Sequence, residues 1–129
     1  MRDYLDKTEF QKSRAFSPAV VTEGGRIVWM AGQTATTDAD GKDISGNFEA
    51  QVTRVFALMD QTLRRAGGAV ANLVTMTVFI KEARYGDRFV EMRRAMFPDG
   101  NYPASALITV SNFARPGMEI EIQGVAVIG

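Results

Sequence analysis

Glu119, Glu121 and Gln123 stand at alternate positions of an apolar stretch from Met118 to Ile128. A strand there sends all three to one face and Ile120 and Ile122 to the other. On an enclosed face, desolvation would raise the proton affinity of a carboxylate and suit it to a general base that orients water. On a wet face, the same carboxylates would pair with Arg or Lys. Histidine and cysteine are both absent, which removes an imidazole base, a Ser-His pair, a thiolate nucleophile and the usual His/Cys zinc site. Any chemistry must therefore run on carboxylates, amides, hydroxyls, backbone groups and water; neither a metal nor another cofactor is expected. Arg14, Arg93 and Arg115 are the cations that could meet an anionic ligand, with a solvated surface position the default for each. The glycines form no phosphate-binding spacing and read as turns and caps.

The chain has 129 residues, 46% apolar and 23% charged, which suits one globular domain over 1–129. Lys+Arg and Asp+Glu both number 15, so no excess positive potential draws in phosphate backbones, and nucleic acid is not expected as a partner. No apolar run approaches the ~20 residues of a membrane span. The expected location is the cytoplasm, with no membrane partner.

The elements that must carry these residues follow from periodicity. Residues 1–12 are charged and read as a loosely held arm. Ala15 to Val21 reads as a strand, Thr22 to Arg26 as a hairpin turn through Gly24-Gly25, and Ile27 to Ala31 as a second strand. From Asn47 the period changes: Phe48, Val52, Val55, Phe56, Met59, Leu63 and Ala66 recur every three or four residues, as on one face of a helix. Ser45 or Asn47 can cap it, and Gly67-Gly68 ends it. Val74 to Ile80 is a strand, with Thr75, Thr77 and Phe79 facing away from Met76, Val78 and Ile80. A second helix from about Tyr85 carries Tyr85, Phe89, Met92 and Met96 on one side until Pro98 stops it. Ser105 to Val110 and Met118 to Ile128 complete a ββαβαββ order. The expected architecture is α+β, a mixed sheet with two helices on one face and an uncovered second face that invites association. Trp29 reads as a packing residue within its strand.

Several stretches, in order, resemble one family, the reactive intermediate deaminases (Rid, or YjgF-like proteins). Phe16-Ser17-Pro18-Ala19 is similar to the family's Tyr-Ser-x-Ala, and Ala31-Gly32-Gln33 to its Ser-Gly-Gln. Ala66-Gly67-Gly68 and Thr75 to Ile80 resemble its Ala-Gly-Gly and Thr-Val-Phe segments. Pro103-Ala104-Ser105-Ala106 resembles Pro-Ala-Arg-Ser, and Ile120-Glu121-Ile122 resembles the terminal Glu-Ile-Glu strand. The resemblance implies a chorismate-mutase-like fold, a homotrimer, and inter-subunit clefts in which 2-imino acids are hydrolysed to 2-oxo acids and ammonia. It implies Glu121 as the residue that positions water and Gly32, beside Ala31, as a backbone group of the cleft.

Ser105 falls where the family's carboxylate-binding arginine stands, Phe16 on its tyrosine, Val90 on its helix asparagine, and Leu107 two residues beyond the arginine. A guanidinium offers a carboxylate a planar bidentate fork, whereas a serine offers one neutral hydrogen bond. Loss of such a contact from a desolvated site costs about 2–5 kcal/mol. The expected activity is therefore hydrolysis of an imine or enamine bulkier or less anionic than 2-iminopropanoate, within apolar walls from Phe16, Val90 and Leu107, with Arg14 the best-placed substitute cation. The alternative from another class is a non-catalytic, ligand-binding or chaperone-like trimer. Ribonuclease activity, known among relatives, fits poorly with zero net charge and no histidine.

Overall fold

The computed structural model describes all residues, 1–129. Nine elements follow in chain order: β1 Arg2–Tyr4, α1 Glu9–Ser13, β2 Val20–Thr22, β3 Arg26–Trp29, α2 Phe48–Arg65, β4 Leu73–Ile80, α3 Gly86–Met96, β5 Ala104–Thr109 and β6 Ile120–Ile128. Four strands form the main sheet in the order β3-β6-β4-β5. β4 and β5 are parallel, joined by α3 as the crossover, and the other pairings are antiparallel. The α+β architecture with a mixed sheet and both long helices on one face matches expectation.

α2 shows how local signals fix an element. The side chain of Asn47, not Ser45, accepts the hydrogen bond of the Ala50 amide at 3.1 Å as the N-cap, satisfying one of the donors that a helix start leaves free. Gly67, at φ 90°, follows its end, in a conformation that favours glycine. Phe48, Val52, Val55, Phe56, Met59 and Leu63 are buried against Leu73, Met76, Val78, Ile80, Ile120 and Ile122 of the sheet. Gln51 lies on the same buried stripe. Its Nε2 donates to the carbonyls of Ile44 and Gly117 at 2.9 and 2.7 Å, and its Oε1 accepts from the Glu119 amide at 2.8 Å. This amide ties the start of β6, and so the approach to Glu121, to α2. Gln51→Leu should lower stability by about 1–3 kcal/mol, because the part-buried Glu119 amide loses its partner and the Ile44 and Gly117 carbonyls, which keep bonds from the Asn47 and Gly46 amides, each lose a second donor; chemical denaturation measures it, and an unchanged midpoint would remove Gln51 from this role.

Three expectations need correction. Residues 1–12 are not a loose arm: β1 pairs with β2 from Arg2 opposite Thr22 to Tyr4 opposite Val20, and Thr8 caps α1 through a reciprocal box with Gln11. A three-residue strand and a five-residue helix are too short to leave a periodic signature. Second, Ala15 to Val21 is not one strand. Ala15 takes a left-handed φ of 56°, Ser17 bridges Ala104, and only Val20–Thr22 is strand. The Gly24-Gly25 turn therefore joins two sheets and closes no hairpin, since β2 pairs with β1 while β3 pairs with β6. Third, α3 is rotated from its expected phase: Gly86, Phe89, Val90 and Arg93 are buried, while Tyr85, Met92 and Met96 pack at the edge of the core.

The opposite sheet face is open. Thr75, Thr77 and Phe79 of β4 align with Val125, Gln123 and Glu121 of β6, and Trp29 stands opposite Val125. Trp29 is 76% exposed and Ile27 55%, so the expectation that Trp29 packs inside the protomer is overturned. It borders a groove of about 220 Å³ with Thr75, Thr77, Gln123 and Val125.

Candidate functional site

The sequence-selected residues fall into two groups on opposite faces of the sheet. The first is on the open face. Gln33 bridges Ile122 through N–H···O contacts of 2.8 and 3.1 Å, which lays Ala31 and Gly32 alongside β6. A Cβ on Gly32 would fall 2.6 Å from Glu121 Oε2, so the carboxylate rests directly over a position that has no side chain. Ala31 and Gly32 are exposed and Glu121 is half-buried. Glu121 enters none of the chain's ion pairs. Gly32→Ala should push the carboxylate aside and lower turnover roughly 10- to 100-fold at little cost in stability, because a misplacement of about 1 Å is enough; steady-state rates read beside a thermal melt test this, and wild-type rates would show that the contact is idle.

The second group is on the helix face. Ser105 aligns with Met76 and Leu107 with Val78, both core positions, and α3 covers them. A Cβ on Gly86 would lie 3.6 Å from Leu107 Cδ2 and 3.8 Å from Arg14 Nη2, so the first turn of α3, β5 and the end of α1 converge. Val90, one turn on, is buried, and Phe16 is half-buried, with its ring 6.3 Å from that of Phe10. Ser17 fixes this corner, its amide donating to the Pro103 carbonyl at 3.1 Å and its hydroxyl to the Tyr102 carbonyl at 2.6 Å.

Arg93 dominates this corner. Only 2% exposed, it donates from Nη1 to Ser105 Oγ at 2.6 Å and from Nη2 to the Arg14 carbonyl at 3.0 Å, with its guanidinium 5.0 Å from the Phe89 ring centre. A solvated surface position was the expectation for Arg93, and the fold overturns it. Its spacing held the clue, four residues after Phe89 and three after Val90, on the face that turns inward. Burial, and then the neighbouring Arg14 and Arg94 guanidiniums, push Arg93 down to about 10. A base whose folded pKa is lowered binds its proton less tightly than the unfolded chain does. The charged guanidinium therefore opposes folding at neutral pH, and that opposition fades only as pH rises past about 10. Arg14 is paired with the exposed Asp87 at 2.6 Å, and Arg115 is exposed in the loop before β6.

Within one chain the two groups cannot meet. Ser105 is on an edge strand facing the helices, while Glu121 lies two strands away facing outward. No group of three or more His, Cys, Asp or Glu side chains gathers to hold a metal, and no helix is long and apolar enough to cross a membrane.

Comparison with known proteins places this geometry. The family model described as Endoribonuclease L-PSP matches residues 7–128. A RutC family protein of Aquifex aeolicus is 29% identical over 113 residues, 87% of each chain. Among solved structures, RidA from an Antarctic Psychrobacter species is 26% identical over 88% of each chain with a TM-score of 0.71. A Rid-family protein of unknown function, YyfB of Yersinia pestis, superposes with a TM-score of 0.87 over 98% of each chain at 24% identity. The chain therefore belongs to the Endoribonuclease L-PSP family, the Rid/YjgF superfamily, as a member with serine at position 105 and a buried arginine behind it.

Proposed function

We propose that this chain is a hydrolase that releases ammonia from an imine or enamine of a small metabolite, in clefts between the copies of a homotrimer. The observation that carries the reading is the uncommitted Glu121 carboxylate lying against Gly32 on the open face. A carboxylate without an ion-pair partner, on a surface that association would enclose, is suited to hold a water and accept its proton. On this reading, with Ser105 and Glu121 on opposite faces of the sheet, the substrate sits between two copies, seated against Ser105 of one and facing Glu121 of the next.

The reaction then balances simply. Water adds to the C=N carbon, giving its proton to Glu121. Glu121 passes that proton to nitrogen, giving a neutral carbinolamine; it then takes the carbinolamine hydroxyl proton and returns it to nitrogen as the C–N bond breaks, leaving a C=O group and ammonia. Phe16 and Leu107, both half-buried, favour a substrate with a larger apolar part than 2-iminopropanoate, while Val90 is buried within the chain and does not form the wall expected of it.

The test generates 2-imino acids in place with an amino acid oxidase and follows their decay through trapping by semicarbazide. Imines with branched or aromatic side chains should decay fastest in the presence of the protein, and 2-iminopropanoate more slowly. No acceleration for any imine, together with binding of the corresponding oxo acid, would leave a non-catalytic binding trimer in place of the hydrolase.

A further inference from the structure

A second cavity lies apart from the residues of the cleft. It holds about 300 Å³ between β1 and the turn that leads from α3 to β5, at the lower end of the roughly 300–1,000 Å³ of small-molecule sites. Alternation along β1 sets Arg2 and Tyr4 on one side, half-buried, and leaves Asp3 in solvent. Both line the cavity, with the half-buried Met96 and the buried Phe97 at the end of α3 as its apolar part and Asp99 and Asn101 of the turn across from β1.

The charges of this cavity select the kind of ligand. Arg2 and Asp99 are opposite in sign and line the same space, yet neither enters any of the chain's ion pairs. Arg2 is pinned on its own side, because its Nη2 donates to the Val127 carbonyl, which leaves four of its five N–H donors for a ligand. An anion alone would meet the repulsion of Asp99, and a cation alone that of Arg2. A zwitterion gains both attractions at once, and its mismatched competitors each keep one repulsion. Tyr4 and Asn101 add a hydroxyl and an amide to the lining, while Met96 and Phe97 favour an apolar tail.

We propose that this cavity binds a free α-amino acid with an apolar side chain, its carboxylate on Arg2, its ammonium on Asp99 and its side chain against Met96 and Phe97. The site shares no residue with the cleft and does not depend on the hydrolase reading. An occupant bridges β1 to the turn ahead of β5, so by linkage it stabilises the folded chain.

The experiment titrates the intact protein with three probes, L-leucine, L-leucinamide, which lacks the carboxylate, and 4-methylpentanoate, which lacks the ammonium. Binding is read from the nuclear magnetic resonance shifts of the backbone amides. L-leucine should move the amides of β1 and of residues 97–101 saturably, and bind roughly tenfold more tightly than either analogue. Arg2→Gln should bring L-leucine down to the affinity of L-leucinamide and leave L-leucinamide unchanged, with part of the loss recovered in Arg2→Lys. Asp99→Asn should bring L-leucine down to 4-methylpentanoate and leave 4-methylpentanoate unchanged. Ser105→Asp, a change in the cleft, should leave L-leucine binding intact. Thermal melts confirm that each variant is folded, and the melting temperature of the wild type should rise with L-leucine. The site is overturned if L-leucine gives no saturable shift at β1 and the turn, if it binds no better than its analogues, if folded Arg2→Gln and Asp99→Asn bind it as the wild type does, or if Ser105→Asp removes its binding and so places it in the cleft.

Discussion

Glu121→Ala should lower imine hydrolysis by about 100- to 10,000-fold, the range a positioned general base contributes, with no loss of the fold. Stability should hold because Glu121 enters no ion pair and its carboxylate lies over the bare Cα of Gly32. Glu121→Gln should fall nearly as far, since an amide can hold water but cannot take its proton. A subunit experiment goes further. Glu121→Ala and Ser105→Asp, which puts a repelling carboxylate at the substrate seat, damage opposite faces of the sheet, so two inactive variants refolded together at equal amounts should rebuild sites that draw Ser105 from one copy and Glu121 from another. Random mixing makes about a quarter of the sites intact, and activity should return to about that fraction. Mixtures as inactive as their parents would show that each site lies within a single chain.

Trp29→Asp should dissociate the protein and abolish turnover together. Trp29 and Ile27 are 76% and 55% exposed on a sheet face with no helix over it, and Ile108 on the other edge is 42% exposed. Burial of one such indole removes about 150–250 Å² from water, about 4–6 kcal/mol per copy as an upper bound, and a carboxylate in its place would have to be desolvated instead. Size-exclusion chromatography with light scattering should move the species to the 14.1 kDa of one chain, while circular dichroism keeps its shape because the core under α2 and α3 is untouched. A monomer that still hydrolyses imines would refute the shared cleft; an assembly indifferent to Trp29→Asp would place the interface elsewhere.

What the sequence revealed depended on how many residues shared a signal. α2 was legible because six buried apolar side chains repeat along 18 residues, and β6 because Ile120 to Gln123 alternates apolar with polar ahead of an apolar run from Val125 to Ile128. α3 has only 11 residues, and its two half-buried methionines drew the apparent stripe away from the buried Val90 and Arg93. Glu121 and Gly32 could be paired through the family resemblance alone, since 89 positions separate them and only the bridge from Gln33 to Ile122 brings them together. Arg93 escaped because an arginine is normally solvated. What makes it informative is burial without a counter-ion, a property of the folded chain and not of its composition.

Trp29 is the chain's only tryptophan, and its place on the open face gives the fluorescence of this protein an unusual meaning. Its emission arises from the outer sheet surface and not from the interior. A blue shift on concentration would follow assembly, and a tryptophan-monitored melt would follow dissociation, with a midpoint that rises with protein concentration. Loss of the core would have to be read separately, from the far-ultraviolet signal of α2. The interval between those two curves, measured on one sample, would give the stability that a single copy keeps once its neighbours have gone.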